Sequence, residues 1–338
     1  MFLKNIPLFI AVLCFFSCSS QKSQEIADVD FDVSLGASRI GKHFFCKKEL
    51  DRISYEICHA LWNSNRPKKI AKKESSAIPK IIHQLWLSDE PLPEEYKKYQ
   101  ATWLKHHPEW EHHLWTHKDI KKLPESIKTR LTSSLDNREK EELLKAAILF
   151  ELGGVVIDIA FECFKPLDGF HERYDLYASV EPPLTKPRLG GVLHISPLII
   201  GSIPRHPLIY YWQQQMLQKY DISREEHHPQ ERALACACLP LDEAVRVLGM
   251  DTEYVNIVLP PTYFFPLNGK ALKQGALPTK KKKKYFFSFL FEPQKPLFSS
   301  IASESYALHH KGGIWTREVI KKKKEPNKNR LQKLLNKK

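Results

Sequence analysis

The residues best suited to chemistry lie between Glu142 and Leu167. There a helical run ends at Gly153-Gly154, and Val155, Val156 and Ile157 then lead into Asp158. Three consecutive β-branched residues read as a buried strand, so Asp158 stands at its carboxyl end, the edge that faces the ligand crevice in open α/β sheets. A carboxylate there is costly in a core and natural at the mouth of a pocket; the plainer account is that it starts a turn. Glu142 and Lys145 sit three residues apart on the preceding helix and share one face. Other dense sets carry less. His106, His107, His112, His113 and His117 are interrupted by Pro108, which breaks the helix that could gather them, and they read as solvated side chains of a helix-to-strand turn. Trp103, Trp110 and Trp115 read as core. His206-Pro207 reads as a helix start with Pro at the first helical position. No Gly-x-Ser-x-Gly elbow, phosphate-binding P-loop or two-cysteine zinc pattern occurs in the sequence.

Written out, the segment is Glu142-x-x-Lys145-x-x-x-Leu149-x-x-x-Gly153-Gly154-x-Val156-x-Asp158-x-Ala160. It resembles the glycosyltransferases with a sugar-binding, DXD-containing region, a group that includes yeast initiating mannosyltransferases and relatives of the clostridial glucosylating toxins. Three further landmarks agree in order. They are Ile78 to Trp86 (Ile-Pro-Lys-Ile-Ile-His-Gln-Leu-Trp), Pro108-x-Trp110 with Leu114-Trp115-Thr116, and His309-His310 followed by Gly313-Ile314-Trp315. The resemblance implies a GT-A-like, Rossmann-type α/β/α sandwich that binds a nucleotide-sugar and transfers a hexose with retention. It implies that Trp86 stacks on the nucleobase, and that Glu142 and Lys145 stand where the family holds the donor sugar. Trp315 with His309 or His310 would close over the diphosphate, and Asp158 would serve the donor and, with a divalent cation (Mn or Mg), the metal. The acceptor, whether glycan, lipid or protein, is not specified.

The departures fall on the same site. Ala160 replaces the second carboxylate of the motif, and a methyl cannot ligate a metal. Glu162 lies ~6.6 Å further along an extended chain, too far to substitute unless the chain bends. Lys145 for Arg loses a bidentate fork, Glu142 for Asp lengthens the acid, and Val156 for Tyr removes a hydroxyl. Two outcomes follow. Lys145, His309, His310 or Lys311 could balance the diphosphate without metal, or the fold could bind without turning over, as a binding or structural envelope protein.

Elements must position these residues. Ile78 to Leu87 reads as a strand, Pro93 to His107 as an amphipathic helix, Trp110 to Trp115 as a strand, Asn137 to Leu152 as a helix and Val155 to Ile157 as a buried strand. That alternation implies an α/β fold around a mainly parallel sheet. Leu176 to Val180 and Val192 to Ile200 are further strands. Pro207 to Tyr220 and Gln230 to Leu248 are further helices, and Tyr285 to Phe291 is a β-prone run beside a lysine cluster.

The chain has 338 residues and a formal charge of +13, and 42% of its residues are hydrophobic. That composition excludes disorder throughout and a multispan membrane protein. Lys280 to Lys284 and the ten basic against two acidic residues of 317–338 account for the whole excess. The body is near neutral and is not built to track nucleic acid. The lysine runs suit a solvated face or anionic phospholipid. Ile6 to Phe16 is an apolar run of ~16 Å as a helix, short of the ~30 Å hydrocarbon slab, and reads as an export signal. Cys18 after it resembles the lipidated cysteine of bacterial lipoproteins, which implies an exported, membrane-associated protein. The expected layout is an export signal over 1–18, a polar tether and helical preface over 19–77, a GT-A-like domain over 78–316 and a basic tail over 317–338. Of seven cysteines, Cys46 and Cys58 would lie ~18 Å apart on one helix and could not bond. Cys236-Ala237-Cys238 reads as core.

Overall fold

The computed structural model describes residues 25–38, 48–74, 77–121, 125–128, 131, 137–183, 191–226, 234–266 and 304–310. Cys14, Cys18, Cys46, Lys280 to Lys284, Tyr285 to Phe291, Lys311, Trp315 and the basic tail lie outside them.

A six-stranded sheet forms the centre, in the order β2-β1-β3-β6-β5-β7. Its strands are β1 (Ile81–Leu85), β2 (Glu111–Trp115), β3 (Gly154–Ile157), β5 (Leu176–Val180), β6 (Ile195–Ser202) and β7 (Asn256–Leu259). β1 pairs in parallel with β2 and β3, and β5 in parallel with β7, while β6 runs antiparallel between β3 and β5. Five strands therefore share one direction, and their carboxyl ends share one edge. This is the mainly parallel α/β arrangement that the alternation of patterns implied. β3, β5, β6 and β7 are buried along their whole length, which is why they read as continuous apolar runs.

Helix α6 (Asn137–Leu152) feeds β3 through Gly153 and Gly154. Both take positive φ, +66° and +88°, and a Cβ on Gly154 would sit 2.7 Å from the Ile81 carbonyl oxygen. The turn therefore admits only glycine, and Gly153 N–H closes the helix on Leu149 O. Helix α3 (Glu94–His106) packs on the short strand β4 (Phe161–Cys163), and β4 pairs antiparallel with β8 (Ala307–His309). Helices α1 (Phe31–Ser38), α2 (Glu49–Asn65), α4 (His117–Ile120), α5 (Glu125–Lys128), α7 (Asp168–His171), α8 (Pro207–Glu226) and α9 (Leu239–Leu248) complete the described structure.

Several expectations need correction. The stretch read as a tether is partly core: Ile26, Phe31 and Leu35 are buried, and Ser34 Oγ meets Thr262 Oγ1 at 2.6 Å. Its polar residues conceal an apolar stripe. His107 is not solvated. Its Nδ1–H donates to Trp103 O at 3.1 Å and its Nε2 accepts Leu167 N–H at 2.9 Å. The helix read over Gln230 to Leu248 opens, in its described part, as a π turn over Leu234–Cys238. Pro240 has no N–H to continue the regular ladder. Trp103 and Trp110 are core as expected, and Cys236 and Cys238 are buried. No described helix is long and apolar enough to cross a membrane.

Candidate functional site

Asp158 leaves β3 at the carboxyl edge of the sheet, its backbone N–H bonded to Leu198 O at 2.8 Å. The chain turns at once: Phe161 N–H returns to Asp158 O at 3.1 Å, and Ala160 N–H donates to Asp158 Oδ1 at 2.8 Å. Asp158 thus does start a turn, and its side chain keeps 11% exposure. The turn reverses into β4, on which β8 lies with His309 opposite Phe161. His309 Nε2 reaches Asp158 Oδ1 at 3.3 Å. His310 N–H donates to Ala160 O at 3.0 Å, and its ring donates from Nε2 to Glu162 Oε2 at 2.7 Å. The same ring stacks on Tyr99 with centroids 4.2 Å apart. Burial, and after it the carboxylates of Glu95 and Glu162, push the Tyr99 phenol well up.

Helix α6 contributes the next pair. Glu142 and Lys145 are buried and joined at 2.8 Å. Burial opposes the charge on Lys145, but the carboxylates of Glu142 and Asp158 outweigh it and hold the ammonium above its ordinary pKa. An ammonium has three donors, so the bond to Glu142 leaves Lys145 capacity for a ligand. Trp86 follows β1, with N–H bonded to Trp115 O at 2.8 Å and Nε1–H to Glu90 O at 2.7 Å. Its half-buried ring packs with Tyr96, Ile159 and Ala160, beside the Asp158 turn. The structure therefore brings together Asp158, Glu142, Lys145 and His309, with Trp86 and His310 against the same turn. Trp315 lies outside the described residues.

The divalent cation expected with a DXD motif has no matching donor set here. Ala160 is fully buried, Asp158 Oδ1 is bonded to an amide and to His309, and Glu162 Oε2 is bonded to His310. Among the described residues no three His, Cys, Asp or Glu side chains converge as metal ligands.

Sequence reasoning missed Glu181, His194 and Asp242. Glu181 follows β5 as Asp158 follows β3, so the signal of a carboxylate ending a buried strand was present twice. Burial raises the Glu181 pKa. His194 Nδ1 lies 2.7 Å from Asp242 Oδ2, a pair joined across 48 residues and invisible to local pattern.

Residues 93–177 match the family described as the glycosyltransferase sugar-binding region containing DXD motif. The chain is 32% identical over 104 residues to inositol phosphoceramide mannosyltransferase 3 of Schizosaccharomyces pombe, covering 30% of this chain and 29% of the relative. It is 26% identical over 182 residues to inositol phosphoceramide mannosyltransferase 2 of the same yeast, covering 51% and 50%. The alignments thus span half or less of these relatives. Among solved structures, PaToxG glycosyltransferase is similar at 13% identity and a TM-score of 0.39, covering 60% of this chain and 80% of that one. Through residues 93–177, the segment that delivers Asp158, the chain is similar to the glycosyltransferases with a DXD-type sugar-binding region.

Proposed function

We propose that the chain is a hexosyltransferase that binds a nucleotide-sugar at the carboxyl edge of β3 and passes the hexose to an acceptor hydroxyl with retention. The observation that carries this reading is the convergence of Glu142, Lys145 and Asp158, from one helix-to-strand segment, with the remote His309, beside Trp86. Trp86 would stack on the nucleobase, a contact made by large flat area. Lys145, held by Glu142, and Asp158, held by its own turn and by His309, would bind hydroxyls of the ribose or the sugar. In the transfer, the bond from the anomeric carbon to the diphosphate oxygen breaks, the nucleoside diphosphate leaves with the bonding pair, the bond to the acceptor oxygen forms, and the acceptor proton passes to the departing diphosphate. The printed activities of the relatives favour mannose as the hexose and a lipid-linked acceptor. The apolar run Ile6 to Phe16 followed by Cys18 favours an exported protein anchored at Cys18. Cys18→Ala would then move it from the membrane to the soluble fraction.

The test is calorimetry and turnover with GDP-mannose and UDP-glucose, with and without manganese. The reading expects one donor to bind and be consumed, and Asp158→Asn to abolish consumption. No binding of any nucleotide-sugar overturns it. A second reading, donor binding without turnover, is favoured by the buried methyl of Ala160 where the motif has a carboxylate. Binding with no turnover in either condition would select it.

A further inference from the structure

Beside the Asp158 cluster lies a second set of polar side chains with no role so far. Glu181 is half-buried at the end of β5; its carboxylate accepts Ser196 Oγ–H at 2.9 Å, and its N–H donates to His194 O at 2.9 Å. His194 is 5% exposed, with Nδ1 2.7 Å from Asp242 Oδ2. The other Asp242 oxygen accepts Ile195 N–H at 2.8 Å, so the carboxylate is fixed at both oxygens and in turn fixes the ring. Nε2 of that ring is buried and has no hydrogen-bond partner among the described residues. Burial opposes charge on the imidazole, but Asp242, Glu181 and Asp51 outweigh it and raise its pKa. Nε2 is therefore a fixed, buried polar atom, and such atoms are nearly always satisfied in a folded protein.

The two sets lie at one edge of the sheet, where β6 alone separates the end of β3, which leads to Asp158, from the end of β5, which leads to Glu181. His309, bonded to Asp158, also acts on Glu181 through space. The buried Cys238 thiol, raised first by desolvation, feels both Glu181 with Asp242 and Glu142 with Lys145. That edge carries acceptors, the carboxylates of Glu181 and Asp158, and the His194 ring nitrogen, which a hydroxyl can meet as donor or acceptor. Such a mixture suits the hydroxyls of a sugar, each of which both donates and accepts; a phosphate would need donors alone.

We propose that Glu181 and His194 bind hydroxyls of the donor hexose, with Asp242 as the positioning residue that holds the His194 ring. The proposal rests on the nucleotide-sugar reading above and goes beyond it by naming further residues that hold the sugar. The experiment uses the full chain and compares GDP-mannose with GDP, and UDP-glucose with UDP, by calorimetry. Glu181→Ala should weaken the sugar-bearing ligand about 10-fold or more, the scale of one lost hydrogen bond, and leave the free diphosphate within about twofold. Asp242→Asn should show the same selective loss, which a general loosening of the fold would not produce. Thermal melting checks folding, and Glu181→Ala carries the test alone if the buried variant does not fold. Equal loss of both ligands, or no loss of either, overturns the proposal while the nucleotide-sugar reading stands. A wild-type chain that binds no nucleotide-sugar overturns both.

Discussion

Four buried histidines each use one ring nitrogen as donor and the other as acceptor. His83 donates from Nε2 to Gly153 O at 3.0 Å and accepts Trp115 Nε1–H at 3.2 Å. His171 donates to Ile78 O at 3.1 Å and accepts Tyr177 Oη–H at 3.0 Å. His107 and His206 are bonded the same way. A neutral ring satisfies both partners, whereas a charged ring would face an N–H with a proton. Burial lowers the pKa to about 4 for His83, His107 and His206 and to about 3 for His171. Between those values and the ordinary ~6.5, the unfolded chain takes protons that the folded chain refuses, so stability falls as pH falls through that window. His194, raised by Asp242, opposes the trend with one ring against four. Melting followed by circular dichroism should therefore give a lower midpoint at pH 5 than at pH 7.5, and an equal or higher midpoint would refute the assignment. At the same scale, Lys145→Met leaves Glu142 buried without its cation and should cost roughly 3–5 kcal/mol in denaturant unfolding. Adding Glu142→Gln should recover part of that loss.

Between elements, close approach decides which residues are tolerated. Gly201 in β6 faces the Tyr177 ring, and a Cβ there would lie 2.1 Å from Tyr177 Cε1. Tyr177 is fully buried and bonded to His171, so it has little room to yield. Gly201→Ala should destabilise by about 3 kcal/mol or more, read as a shifted urea midpoint with an unchanged slope. The same elements explain what the sequence disclosed. Val155, Val156 and Ile157 announced β3 because a strand buried on both faces is apolar throughout, and Gly153-Gly154 announced the turn because no other residue fits it. Strand limits moved where hydrogen bonding overruled hydropathy. β1 begins at Ile81, after Pro79, which has no N–H to pair. β6 begins at Ile195, where Asp242 takes its first N–H. The Asp158 cluster was legible because Glu142, Lys145 and Asp158 are neighbours in sequence. Glu181, His194 and Asp242 were not, because β5, β6 and α9 meet only in three dimensions.

Across the whole molecule, the described residues before β1 are structural. Trp62 in α2 is fully buried, donates Nε1–H to Val29 O at 3.2 Å and meets the Tyr263 ring edge-on at 5.7 Å. Asp51, from the same helix, accepts Val192 N–H at 2.8 Å and holds the approach to His194. Trp62→Ala should cost about 3–5 kcal/mol as a large-to-small core change, measurable by chemical denaturation. The apolar stripe of α1 was hidden from sequence reading by the acidic residues around it, Asp28, Asp30 and Asp32. The latest-arriving part of the site has a further consequence. His309 meets Asp158 across 151 residues of chain, whereas the last strand of the central sheet ends at Leu259. During vectorial synthesis, then, every strand of that sheet leaves the ribosome well before the histidine pair does. A nascent or prematurely terminated polypeptide that has completed this sheet still lacks the imidazole that braces the aspartate, so the brace forms only once residue 309 has been made.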